Sequence, residues 1–276
     1  MAVRKAILIL TLTLFVSAVQ AQSVFDSFQY YTDSTLVDLK VDKLNNQWFI
    51  YDNKIIRKSI EKAYNDTIEN IHIPQLSLDL TIPLKNLFYY RDKNRVEIKN
   101  SRWGTISSFK LDALQIFQPC FVNFSTDKMI WILDVSSNTL YKLNENGVKI
   151  SQKPNPFKVE NKFFYPTELI QLKNECIALD KSYGIFILDD YGNLVQHLKT
   201  DSTQKIFEYK GKVYLSHGKT LIQFQATSKM VIDLTQTKKL HFPNTILSLQ
   251  TYNENALILF ENKRIYELKN FESLFE

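Results

Sequence analysis

The sequence predicts an all-β protein: a single six-bladed β-propeller whose last blade is closed by a strand from the N-terminal end. Three observations carry this. Short alternating or apolar runs rich in Ile, Val, Phe, Tyr and Trp dominate the chain, and apolar residues at helical spacing are rare. One phrase returns six times: a polar turn, an apolar strand, a second turn, an alternating strand. Its second turns begin at Asp52, Arg91, Asp134, Asp180, Ser216 and Glu261, about every 42 residues, the period of a four-stranded propeller blade.

The first 21 residues stand apart from this pattern. Arg4 and Lys5 precede an apolar run, Ala6 to Val16, broken only by two threonines. Small residues, Val19 and Ala21, then sit where a signal peptidase reads them. The run is too short to span a bilayer, which takes about 20 apolar residues. Residues 1–21 therefore read as a cleaved signal peptide and 22–276 as the propeller domain, exported to the periplasm or secreted. No cysteine stands at the cut to take a lipid anchor, and no later stretch reads as a transmembrane segment.

The blades follow in order. The inner strands are predicted at Leu36–Val41, Ser77–Thr81, Phe121–Ser125, Glu168–Lys173, Lys205–Tyr209 and Thr245–Thr251. Outer strands are predicted at Thr67–Ile73, Thr105–Lys110, Val148–Gln152, Leu194–Lys199 and Met230–Leu234. The sixth blade runs out of chain before its outer strand, and the spare segment Val24 to Tyr31 is predicted to pair there. Ring closure leaves only short sheet edges. The chain holds 21 asparagines against six glycines, so Asn takes over many turns that need left-handed backbone.

The formal charge is +5, falling to +3 without Arg4 and Lys5, and the basic residues are scattered, so no nucleic-acid partner is expected. Cys120 and Cys176 lie in apolar strand-like runs; export permits a disulfide, and burial suits free thiols as well.

Two stretches, "LDVSSNTLYKLNENGVKI" and "LDKSYGIFILDDYGNLVQHL", resemble blades of the exported six-bladed propellers of the NHL and TolB-like kind. Asp134 and Asp180 match the strand-ending Asp of that family, and Gly147 and Gly192 match its last turn. Arg91, Ser216 and Glu261 depart from the pattern in the other blades. The resemblance implies a fold; an activity has to rest on a site.

Chemistry-bearing motifs are scarce. His72, His197, His217 and His241 are scattered, and no HExxH, CxxC, GxSxG or Gly-rich phosphate loop occurs, so no cofactor and no metal are predicted. The strand-ending Asp residues read as turn formers. The longest break between blades, Lys153 to Pro166, carries Phe163, Phe164 and Tyr165. In a propeller such linkers share a face with the turns after each second strand. That puts Phe163, Phe164 and Tyr165 beside Arg91, Asp92, Lys181, Tyr183 and His217, a candidate surface for a protein or glycan partner in the cell envelope. The alternative is that the three aromatics fold back onto the blades. The inner strands offer one polar residue per blade toward the axis: Asp38, Asp79, Asn123, Glu168, Glu208 and Gln250. These channel-lining candidates support a rival reading, a propeller hydrolase or lyase with a channel metal site.

Overall fold

The computed structural model describes residues 29–31, 35–59, 65–69, 76–172, 175–200, 205–210, 212–226 and 232–275. Six four-stranded antiparallel sheets form a six-bladed propeller. Blade 1 holds Leu36–Val41, Gln47–Tyr51, Lys54–Lys58 and Asn65–Glu69, named here from inner to outer strand. Blade 2 holds Leu76–Asp79, Lys85–Tyr90, Arg95–Asn100 and Thr105–Lys110. Blade 3 holds Pro119–Phe124, Ile130–Asp134, Thr139–Leu143 and Lys149–Pro154. Blade 4 holds Glu168–Gln171, Glu175–Asp180, Gly184–Asp189 and Leu194–Leu198. Blade 5 holds Lys205–Tyr209, Lys212–His217, Thr220–Ala226 and Ile232–His241. Blade 6 holds Ile246–Tyr252, Asn255–Phe260 and Arg264–Leu268, and its fourth strand is Gln29–Tyr31 from the other end of the chain.

The expected closure is therefore present, with Gln29 opposite Tyr266 and Tyr31 opposite Arg264. The segment read as a signal peptide, residues 1–21, lies outside the described residues, as does His72.

The second strands of the blades are largely apolar runs because both faces of each sheet are covered there, while most third strands alternate apolar with polar residues. Among the described residues, six apolar clusters form, one in each seam between neighbouring blades. Trp48, Ile50 and Ile55 of blade 1 meet Leu78 and Phe88 of blade 2. Leu36, Leu39 and Phe49 of blade 1 meet Leu257, Leu259 and Ile265 of blade 6. A blade stripped of its neighbours would expose both sides, so the ring is the cooperative unit.

The C-terminal turn Phe271–Phe275 seals the last seam. Phe271 and Phe275 are buried against Tyr214 of blade 5, and Glu272 pairs with Lys210 and Lys212.

The linker at Lys153–Pro166 carries regular structure of its own. The outer strand of blade 3 runs on to Pro154, and a short hairpin follows, Lys158–Val159 against Lys162–Phe163. Cys120 and Cys176 are free. Each donates a weak hydrogen bond, to the Leu133 carbonyl and to the Gln171 side chain. Burial pushes both thiols up to about 12, so they stay protonated and unreactive at neutral pH.

Candidate functional site

Turns alternate between the two ends of an antiparallel blade. The turns between second and third strands, and the linkers between blades, therefore share one end of the ring, called here the linker face. The inner-to-second turns and the third-to-outer turns occupy the opposite, hairpin face.

Arg91, Asp92, Lys181, Tyr183, His217 and the aromatics of the linker all lie on the linker face, as the topology requires. They are not one cluster, because Arg91 and Asp92 belong to blade 2, Lys181 and Tyr183 to blade 4, and His217 to blade 5. The dense part is the seam of blades 3 and 4. There Phe164 is buried, 7% exposed, and packs with Phe121, Phe157 and Phe186, so its expected place on the binding surface is corrected. Phe157 fills the seam edge-on between Phe121 and Phe186, at 6.3 and 5.4 Å. This packing pulls the linker down onto the blades. Tyr165 is half-buried, with its hydroxyl donating to Asn138. Phe163 keeps 41% of its surface and Tyr183 keeps 47%.

The Tyr183 ring is held in place. Asp180 ends its strand and accepts hydrogen bonds from the N–H groups of Ser182 and Tyr183, which sets the turn that carries Tyr183. The Tyr183 ring leans on Phe164 at 4.3 Å between centroids. Nε2 of His197 bonds to the Tyr183 carbonyl, and its ring stacks on Phe186 at 4.5 Å. Lys158 sits over Phe163 at 5.3 Å, and Lys162 and Lys181 stand exposed nearby in the same linker and turn. The result is one exposed aromatic, Tyr183, on a fixed aromatic base, with exposed Phe163 under Lys158 in the linker hairpin and a basic surround. His197 and Phe157 were not among the residues expected here. The alternation of the strand hides His197, because its neighbours Gln196 and Leu198 mark it only as a half-buried position.

The second concave feature is the axis. A cavity of about 520 Å³ opens on the hairpin face, lined by Asp79, Asn123, Gln171, Glu208, Gln250 and Asn253 among others. Four of the six channel-lining candidates thus reach it. The other two, Asp38 and Glu168, lie outside this cavity, both within electrostatic reach of Lys205 on the inner strand of blade 5.

The polar side chains are occupied in holding blades together. Asp79 of blade 2 accepts the Phe124 N–H of blade 3 at 2.7 Å and the Asn123 side chain at 3.3 Å. Gln250 of blade 6 accepts the Val41 N–H of blade 1 at 3.2 Å, and Ser248 donates to the Leu39 carbonyl at 2.9 Å. Glu168 of blade 4 pairs with Lys205 of blade 5 at 2.8 Å. Burial pulls Lys205 down, but Glu168 and Asp38 outweigh this and raise it, so it stays charged. Glu208 lies 4.0 Å from Lys43. Among the described residues, no group of three or more His, Cys, Asp or Glu is placed to hold a metal ion. No helix among them is long and apolar enough to cross a membrane.

No protein-family model matches the sequence, and no curated protein does either. Solved structures do. A streptogramin B lyase superposes with a TM-score of 0.59 at 13% identity, covering 89% of this chain and 87% of the other. A virginiamycin B lyase from Staphylococcus aureus gives 0.57 at 14% identity, covering 86% and 81%. The WD40 propeller domain of Doa1 gives 0.56 at 12% identity, covering 87% and 81%. At such identities the likeness concerns the fold alone, and the fold it establishes is a β-propeller.

Proposed function

We propose that this chain is an exported propeller acting as a rigid binding or assembly module, and that it engages a protein partner of the cell envelope through the linker face at the seam of blades 3 and 4. One observation carries the reading. Tyr183 and Phe163 are each more than two-fifths exposed, yet buried Phe164 and Phe186, stacked with half-buried His197, underlie the seam and fix Tyr183. An aromatic ring already held in place loses little freedom when a partner covers it, and such anchors dominate interface energies. Lys158, Lys162 and Lys181 add a basic rim that favours an acidic contact surface. Export rests on the layout of residues 1–21.

The hydrolase or lyase reading drew on the ring of polar inner-strand residues. Asp79, Gln250 and Glu168 are committed to clasps between blades, which accounts for them without a reaction.

The test is crosslinked capture from the native envelope fraction with the full chain, beside a copy carrying Phe163→Ser and Tyr183→Ser. Both rings are exposed, so the changed copy should fold and keep its melting temperature within about 2 °C. The account expects a protein that the unchanged chain retains and the changed copy loses. Equal retention by both would place the partner elsewhere.

A further inference from the structure

A second groove lies on the opposite, hairpin face, between blades 1 and 2. It encloses about 740 Å³ and is lined by Lys43, Leu44, Arg57, Leu84, Arg102 and Trp103 together with smaller polar residues. Three turns build it: Asp42–Asn46 and Ile82–Lys85, each between an inner and a second strand, and Asn100–Gly104 before the outer strand of blade 2.

Its floor is firm. Arg57 is only 6% exposed, pairs with Asp66, and lies between the rings of Trp48 and Trp103 at 5.5 and 5.0 Å. Trp103 meets Trp48 edge-on at 5.2 Å. Its rim is costly. Many turns of this chain place Asn or Gly in left-handed backbone, where those residues fit with little strain. Among the described residues, the apolar side chains in that conformation are Leu84, at φ 64°, and Trp103, at φ 67°, and both line this groove. Leu84 is also 57% exposed, and Leu44, which lines the same groove, is 46% exposed. So Leu84 accepts backbone strain and gains little core packing in return. The indole N–H of Trp103 is shut off from the surface and finds no acceptor among the described residues. Backbone strain spent on an exposed apolar side chain points to a site kept for contact with something else.

The charges say what that contact is. The charge of Arg57 is answered by Asp66, while Lys43 is held only at 4.0 Å from Glu208 and exposed Arg102 has no ion-pair partner among the described residues. We propose that this groove docks an acidic, leucine- or phenylalanine-bearing peptide segment of a partner protein, its apolar side chains on Leu44 and Leu84 and its carboxylates on Lys43 and Arg102. The groove is independent of the blade 3–4 seam and faces the other way.

The test pans a random-peptide phage library on the immobilised full chain. Retained sequences are then compared on the Leu84→Gly, Arg102→Glu and Tyr183→Ser variants. Glycine takes the left-handed backbone without strain, so Leu84→Gly should melt at the same temperature or higher while losing peptide about tenfold, which a merely structural role for Leu84 would not produce. Arg102→Glu should abolish retention, and Tyr183→Ser should leave it unchanged. Enriched peptides should be rich in Asp and Glu with interspersed Leu or Phe. No enrichment, enrichment of peptides without acidic residues, or peptides held equally well by Leu84→Gly and Arg102→Glu would each overturn the proposal.

Discussion

Asp134 shows what a single polar residue does in a blade. Its side chain is fully buried at the end of an apolar strand, where an uncompensated carboxylate would be expensive. It is compensated by the Gln118 N–H at 2.6 Å, the Ser136 hydroxyl at 2.6 Å, and the Ser137 N–H and hydroxyl at 3.0 and 2.7 Å. One carboxylate thereby ties the turn after the second strand to the linker entering the blade. Burial would raise its pKa, but the bonds from Ser136, Ser137 and Gln118 prevail and hold it below the usual carboxylate range. A depressed carboxylate stabilises the fold above its unfolded pKa, and that contribution is lost as pH falls through the folded value. Asp127 and Asp189 are lowered in the same sense. Unfolding free energy should therefore decline as pH drops below about 4. Asp134→Ala should cost on the order of 3 kcal/mol at pH 7 and flatten part of that decline, read by denaturant melts at several pH values. Ser216 takes the corresponding place in blade 5, and its buried hydroxyl has no partner among the described residues. Ser216→Ala should be neutral or stabilise by up to about 1 kcal/mol. The strand-ending Asp was legible in the sequence as a turn former, and Asp134 and Asp180 act as such. Its bond to the linker at Gln118, 16 residues upstream, was not, because only tertiary packing brings the two together.

At the scale of the element, the glycines separate turn strain from packing. Gly147, at φ 79°, lies where an added Cβ would meet the Phe109 ring of blade 2 at 2.8 Å. At Gly192, φ 75°, an added Cβ would meet Trp131 and Leu140 of blade 3 at 3.1 Å. Both are third-to-outer turns docked on the preceding blade; Trp103 fills the like position between blades 1 and 2. Gly184, at φ 105°, faces the Leu198 carbonyl at 2.2 Å, while Gly218, at φ 55°, faces open space. Alanine at Gly218 should cost only the left-handed penalty, about 1 kcal/mol. Alanine at Gly184 should cost more than about 3 kcal/mol, since backbone must move, with Gly147→Ala between them. Thermal melts of the three variants check the order. Strand positions were readable because each blade repeats one period. The hairpin at Lys158–Phe163 was not: its strands are two residues long, and Glu160 and Asn161 supply the left-handed turn without glycine. Pro154 ends the outer strand of blade 3, and Phe157 three residues on is buried in the seam.

The whole molecule divides its labour between edge and axis. Seams of apolar side chains hold the blades side by side, and polar clasps near the axis fix their register. The shared face of the linkers and second turns followed from topology and was readable in advance. Which aromatics stay exposed was not, because alternation breaks down in a linker and nothing in "KFFYP" distinguishes Phe163 from Phe164. The axial polar residues were legible as a set, while their engagement with neighbouring blades depends on contacts as far apart as Gln250 and Val41. The central claim is that the linker face at blades 3 and 4 meets a protein partner. A photoreactive benzophenone amino acid at Tyr183 tests it, with a second copy carrying the same group at Tyr191. Tyr191 is 77% exposed on the hairpin face of the same blade, so it matches in chemistry and accessibility but looks the other way. Irradiation in the native envelope should give a protein adduct from position 183 and none of the same mass from position 191. An adduct from 191 alone, or none from 183, would contradict the account.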